Sequence, residues 1–159
     1  MAKIAYGYEM MIIATDVCRT VDLEKDLGLR YVEMEELLQS SDIITLHLPA
    51  SADTEHILDD QAFAKMKDGV VLVNTARGSL IDSGALLRAL DSKKVFYALL
   101  DVLEHEHNFE ENKDLIGRPN VITTPHIAFY ADDSMANMFI DCFVSIDQWL
   151  AGKTPDHVV

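Results

Sequence analysis

An arginine, a group of carboxylates and an imidazole each stand just beyond a β-rich apolar run in this chain. Asn74-Thr75-Ala76-Arg77-Gly78 follows Val70-Val71-Leu72-Val73. Asp101-Val102-Leu103-Glu104-His105-Glu106 follows the run from Val95 to Leu100, and Thr124-Pro125-His126-Ile127-Ala128 follows Val121-Ile122-Thr123. The planar fork of an arginine can grip a carboxylate through two parallel hydrogen bonds. A histidine titrates near neutral pH and can give or take a proton. The three together form an acid–base set for a small anionic substrate.

The elements that must position this set alternate between short β-rich runs and helical stretches. Residues 2–9 read as the tail of a helix, and 10–15 as a strand ending at Asp16. Residues 31–32 are a minimal strand, 33–39 a helix, and 43–48 a strand stopped by Pro49. Asp59 or Asp60 can cap a helix running to Met66, with Gly69 as its stop. Residues 70–73 form a buried strand, and Asp82 or Ser83 begins another helix. Strands follow at 95–100 and 121–123. Met135, Met138, Phe139, Cys142, Phe143, Ile146, Trp149 and Leu150 then recur at helical spacing, a stripe suited to a core or an oligomer face. Asp132 and Asp133 suit the start of that helix and Gly152 its end.

Apolar strands alternating with helices predict an α/β fold with a parallel sheet covered on both faces. Such sheets bind ligands outside the carboxyl ends of their strands. Asp16, Pro49, Arg77, Asp101 and His126 all fall at or past such ends.

Bulk properties set the outer bounds. The chain has 159 residues, enough for one domain with a real core. A net charge of −14 argues against nucleic acid, which needs clustered Lys and Arg. It leaves room for a small anion, because one local arginine outweighs a diffuse negative surface. No apolar run approaches the ~20 residues of a membrane span. Cys18 and Cys142, the only two cysteines, read as reduced packing residues in a cytoplasmic protein, with a single bridge as the alternative.

Four ordered pieces carry a family resemblance: SDIITLHLPA (41–50), VLVNTARGSLID (71–82), LLDVLEHE (99–106) and TPHIAFY (124–130). Over residues 1 to about 152 the chain resembles the D-isomer-specific 2-hydroxyacid dehydrogenases, and within them most resembles the D-lactate dehydrogenase branch. The resemblance implies a Rossmann-like dinucleotide fold with NAD as cofactor and a small 2-oxo or 2-hydroxy acid as substrate. Arg77 would hold the substrate carboxylate and polarise its C2 carbonyl. His126 would protonate the developing alkoxide, and Glu106 rather than Glu104 would be its carboxylate partner, favouring the imidazolium. Asp101 would contact the nicotinamide carboxamide. Leu48, Pro49, Thr54, Thr75 and Ala76 would line the cofactor. Asp16 would bond the adenosine ribose and repel a 2′-phosphate, favouring NAD over NADP, a preference that Arg19 could soften.

The chain departs from the family pattern at its front. The match begins part-way along the family's first helix, and the Gly-x-Gly-x-x-Gly turn has no counterpart in these residues. The strand that precedes that turn normally lies between the second and fourth strands of the sheet. The expectation is therefore a partial dinucleotide-binding domain over 1–152 and a tail over 153–159, with no separate substrate domain. Such a fragment or shortened product would be inactive or nearly so alone. The alternative is a non-catalytic NAD-binding or dimerisation module of the same fold, with a second copy as partner. Some residues keep a plain reading beside the functional one. Arg77 alone would be a surface or capping residue, Asp16 an ordinary turn residue, and Glu104, Glu106, Glu110 and Glu111 a solvated acidic stretch. His105 and His107 have poor spacing for a metal site, and none is assigned.

Overall fold

The computed structural model describes residues 1–155. The chain starts with helix α1 (Ala2–Gly7), strand β1 (Ile13–Ala14), helix α2 (Val21–Leu27) and strand β2 (Arg30–Tyr31). Helix α3 (Met34–Ser40), strand β3 (Ile43–Leu46), helix α4 (Asp60–Lys65) and strand β4 (Val70–Asn74) follow. Next come helix α5 (Ser83–Asp91), strand β5 (Val95–Leu100), the short helix α6 (Phe109–Asn112), strand β6 (Val121–Thr123) and helix α7 (Asp132–Leu150). Residues Met1–Thr123 form one compact unit, and the chain from Thr124 onward forms a second.

All strand pairs are parallel. β3, β4, β5 and β6 form one sheet in that order, while β1 and β2 pair in a separate sheet. This is the α/β, Rossmann-like architecture expected. The separation of the two sheets falls where the family's first strand would lie, and these residues supply no such strand.

Register explains which side chains are buried. Ile44, Leu72, Ala98 and Val121 are cross-strand partners and form one row across the sheet. All four are buried, and so are Leu46, Asn74 and Leu100 in the next row. Residues level in a parallel sheet point to the same face, so this face carries the core. Phe63 and Met66, with Leu86 and Leu90 of α5, belong to the same cluster. A bulge sits at the start of the β4–β5 pair. Val70 is level with Val95 and Val71 with Tyr97, so Phe96 has no place in the ladder. On the other side of the strands, Ile43 and Ile122 remain half exposed.

Local chemistry sets most boundaries. The Asp59 carboxylate accepts from the Ala62 amide at 2.8 Å and caps α4; the Asp82 carboxylate accepts from Ala85 at 2.8 Å and caps α5. β5 and β6 match their expected spans. β3 stops at Leu46 rather than Leu48, because its partner strand turns away after Asn74. β1 keeps two of the six residues expected, since its ladder with β2 is limited to Ile13 and Ala14, and Met11 is fully exposed. α2 was not expected from the sequence; Gly28, in the left-handed region at φ 62°, ends it. Gly69 does not stop α4, which ends at Lys65 with Met66 extended; at φ 81° it instead turns the chain into β4.

α7 spans the expected stripe and ends at Leu150, with Ala151 as its C-cap and Gly152 just beyond. None of its residues is buried. The stripe therefore does not form a core: α7 is the sole helix among the described residues of its unit, with no second element there to pack against. Cys18 and Cys142 are free and exposed, so neither is a packing residue. No helix among the described residues is long and apolar enough to cross a membrane. Of the expected 153–159 tail, residues 156–159 lie outside the described residues.

Candidate functional site

The last row of the sheet places the site residues of the first unit. Leu46, Asn74, Leu100 and Thr123 stand level in register. The Asp101 amide donates to the Asn74 carbonyl at 2.9 Å and carries the β4–β5 pairing one step further. Leu48 and Pro49, then Thr75, Ala76 and Arg77, and then Asp101 therefore leave the sheet from one end. Asp101 is buried, Leu48 and Ala76 are half-buried, and Pro49, Thr75 and Arg77 are exposed.

Asn74 shapes the turn that presents Arg77. It has no exposed surface, yet both ends of its amide are bonded. Its Nδ2 donates to the Arg77 carbonyl at 2.8 Å, and its Oδ1 accepts from the Ala76 amide at 3.0 Å. A buried polar side chain is tolerable on those terms. The Arg77 guanidinium is exposed and donates to the Ala76 carbonyl at 2.6 Å.

Gly78 lies against the next strand's exit. A Cβ there would sit 2.0 Å from the Leu103 carbonyl oxygen, so no larger residue fits without moving backbone. Beyond Leu103, Glu104 turns inward. Its side chain is 16% exposed and is not one of a solvated acidic run. Its Oε1 lies 2.5 Å from His56 Nε2, and its Oε2 accepts from the Ser83 amide at 3.0 Å. Burial pushes the Glu104 carboxyl up, but the hydrogen bonds from Ser83 and His56 outweigh it and hold it below its ordinary value. The bond to Glu104 raises the His56 imidazole above its ordinary value, against a smaller opposing effect of burial; the charges of Glu104, Asp82 and Glu55 raise it further. Glu106 stands exposed two residues on.

Two other pieces belong to the same unit. The Thr54 hydroxyl donates to the Pro49 carbonyl at 2.7 Å and accepts from the Ser51 amide at 2.9 Å, folding the loop after β3 back on itself. The Asp16 carboxylate accepts from the Cys18 amide at 2.8 Å just beyond β1, a turn that orients it while leaving acceptor capacity for ribose hydroxyls. Arg19 lies over the Tyr31 ring at 5.7 Å. This donor and acceptor set fits the ribose end of NAD; the residues for its pyrophosphate turn are not among these 159.

His126 belongs to the second unit. Its backbone is left-handed at φ 53°, its amide donates to the Thr124 carbonyl at 3.0 Å, and its ring meets the Phe129 ring edge-on at 6.2 Å. Non-glycine residues in that region cost energy and concentrate at functional sites. Among the described residues, no three His, Cys, Asp or Glu side chains converge to hold a metal ion.

Sequence reasoning missed His56, the inward role of Glu104, and the constraint on Gly78. Nothing local marks the first two, because the pair joins residues 48 apart. Gly78 carried a signal, a glycine fixed behind an arginine, but its reason lies in Leu103.

Comparisons with known proteins agree with this fold. The family model described as "D-isomer specific 2-hydroxyacid dehydrogenase, NAD binding domain" matches residues 1–128. The chain is 44% identical over 145 residues to a D-lactate dehydrogenase of Lactiplantibacillus plantarum, covering 83% of this chain and 43% of that protein. It is 44% identical over 128 residues to a hydroxypyruvate reductase of Thermotoga maritima, covering 80% of this chain and 41% of that protein. The fold is similar to the NAD-complexed D-isomer-specific 2-hydroxyacid dehydrogenase of Lactobacillus delbrueckii ssp. bulgaricus, with a TM-score of 0.90 and 32% identity over 99% of this chain and 51% of that one. The chain thus spans about half the length of these relatives. The matched family model, the parallel sheet and the residues grouped at its carboxyl end lead to one conclusion: this chain belongs to the D-isomer-specific 2-hydroxyacid dehydrogenase family, through its NAD-binding domain.

Proposed function

We propose that residues 1–152 are a partial NAD-binding domain of a D-2-hydroxyacid dehydrogenase of the D-lactate type. The observation that carries this reading is the turn at Asn74, whose buried amide fixes the Ala76–Arg77 backbone at the same sheet end as Asp101. Similarity to D-lactate dehydrogenases supports it. In this reading Asp16, Leu48, Pro49, Thr54, Thr75, Ala76 and Asp101 hold NAD, which supplies or receives a hydride when bound. Arg77 grips the carboxylate of a small 2-oxo acid and polarises its carbonyl. His126 delivers the proton to the alkoxide oxygen, and Glu106 supplies the carboxylate of the acid–base set. Without a phosphate turn or substrate domain in these residues, turnover by this chain alone is absent or nearly so.

The test uses the purified chain. Calorimetry should detect weak NAD binding that Asp16→Ala reduces at least about tenfold, the scale of one lost charged hydrogen bond. NADH with pyruvate should give no sustained oxidation. Absence of any NAD binding would overturn the cofactor assignment. Robust pyruvate-dependent oxidation that His126→Ala abolishes would overturn the expected inactivity.

A second reading is a non-catalytic NAD-binding or dimerisation module. One observation favours it: Phe139, Phe143, Ile146 and Trp149 of α7 are all more than half exposed. Sizing with and without NAD separates the two readings, since NAD-dependent dimers without turnover support the module.

A further inference from the structure

Glu104 closes a circuit that no single segment could hold. The His56 amide donates to the Ser79 carbonyl at 2.8 Å, one residue past Gly78. The His56 imidazole meets Glu104 Oε1, and Glu104 Oε2 receives the Ser83 amide. The circuit therefore runs from Ser79 through His56 and Glu104 to Ser83 and back along the chain. Two further backbone bonds brace it, from the Leu58 amide to the Leu80 carbonyl at 3.1 Å and from the Asp82 amide to the Leu58 carbonyl at 3.1 Å. On the far side, the Asn112 side-chain Nδ2 donates to the His105 carbonyl at 2.6 Å, fixing the residue between Glu104 and Glu106.

We propose that Glu104 is the positioning residue of the site: its carboxylate ties the His56 loop and the start of α5 to the segment carrying Glu106, and so fixes the Arg77 turn relative to Glu106. The proposal rests on the roles given above to Arg77 and Glu106. Those residues flank the circuit at its two ends, Arg77 just before Gly78 and Glu106 two residues after Glu104. A neutral or shorter side chain at 104 would leave either the Ser83 amide or the imidazole without its carboxylate oxygen. The groups that bear on the pair are Asp82 and Glu55 around His56, and His105 beside Glu104 at 3.9 Å, itself paired with Glu111 at 3.2 Å.

The experiment is a pH titration by NMR on the full chain, with no nucleotide and no acid present. In the native protein the His56 ring should titrate above its ordinary value, and the Gly78, Ser83 and Glu106 amides should follow the same midpoint. Glu104→Gln should return the His56 midpoint toward its ordinary value, uncouple those amides, and speed Ser83 amide exchange at least about tenfold. Arg77 Nε relaxation should show greater motion in that variant. His56→Asn, which keeps a donor near Glu104, should retain part of the Ser83 protection. Native Gly78 and Ser83 amides that ignore the His56 midpoint would overturn the proposal, even if Glu104→Gln failed to fold. So would unchanged Arg77 and Glu106 motion in a folded Glu104→Gln. A chain that fails to bind NAD overturns the dehydrogenase reading but leaves this coupling intact, so the two failures are distinguishable.

Discussion

Gly78→Ala tests whether the Arg77 turn is built on direct backbone contact. The added methyl would lie 2.0 Å from the Leu103 oxygen, 2.1 Å from its carbonyl carbon and 2.6 Å from the Glu104 nitrogen. Ordinary contact begins near 3.4 Å, so the two segments must part by about 1.4 Å. All three obstacles are backbone atoms, and no rotamer change can relieve them. A separation of that size overruns the 3.0 Å bond from Ser83 to Glu104. Overpacking alone costs about 1–3 kcal/mol. A lost bond to a charged acceptor adds about 1.5–3 kcal/mol. The sum, about 2.5–6 kcal/mol, is a large share of the 5–15 kcal/mol that typically holds a domain together. Two glycines serve as controls. Gly69→Ala meets open space but sits at φ 81°, which predicts a loss of about 1–2 kcal/mol. Gly7→Ala meets open space at an ordinary angle and should change stability by less than about 0.5 kcal/mol. Urea unfolding followed by far-UV circular dichroism gives the three values under one protocol. If Gly78→Ala proves no worse than Gly69→Ala, the segments are not in rigid contact and the reasoning fails.

Two further perturbations probe the same end of the sheet. Asn74→Ala removes both bonds of a fully buried amide and strands the Ala76 amide and the Arg77 carbonyl, so urea unfolding should show a loss of about 2–4 kcal/mol; a loss under about 1 kcal/mol would mean the turn holds itself. The His56–Glu104 pair should also give stability a pH dependence. Glu104 is lowered in the folded protein, so its contribution is present above its ordinary value of 4.5 and fades as pH falls through the folded value. His56 is raised, so its contribution is full below 6.5 and fades as pH rises through the folded value. The advantage of the native protein over Glu104→Gln should therefore be greatest between pH 4.5 and 6.5 and shrink toward alkaline pH, read as urea midpoints. Partial exposure of the imidazole screens the effect. An advantage that grows toward alkaline pH would contradict the pairing.

The fold was readable where one residue's environment is decided nearby. β5 and β6 are short apolar runs between polar turns, and their bounds follow from composition. Asp59 and Asp82 cap the helices that follow them, because a cap needs only its next few residues. Boundaries set by a distant partner were not readable. β3 stops where β4 turns away, although Ile43 to Leu48 is uniformly β-like. β1 shrinks to two residues because a strand is only as long as its ladder. α2 escaped notice because Val21 to Leu27 contains four charged residues and little apolar periodicity; its clearest marker is Gly28 at its end.

The candidate site divides in the same way. The residues proposed for chemistry were legible, since each follows an apolar run and carries a charge or a titratable ring. The residues that hold them were not. Asn74 looks like a strand terminus, yet its amide makes the turn. Glu104 looks like one acid among several, and His56 like a loop histidine. Their meeting depends on the parallel register that brings the β4 and β5 exits side by side, a long-range property of the sheet. This explains why charge could not identify Glu104 in a chain with a net charge of −14. Most carboxylates on such a surface sit in water and contribute little. The one that matters is largely shielded among donors, and that shielding is decided by the fold. A buried carboxylate without its donors would be costly, so the placement of Glu104 demands both His56 and Ser83. The same demand gives those two residues, neither proposed to touch substrate, a direct hold on the geometry of those that are.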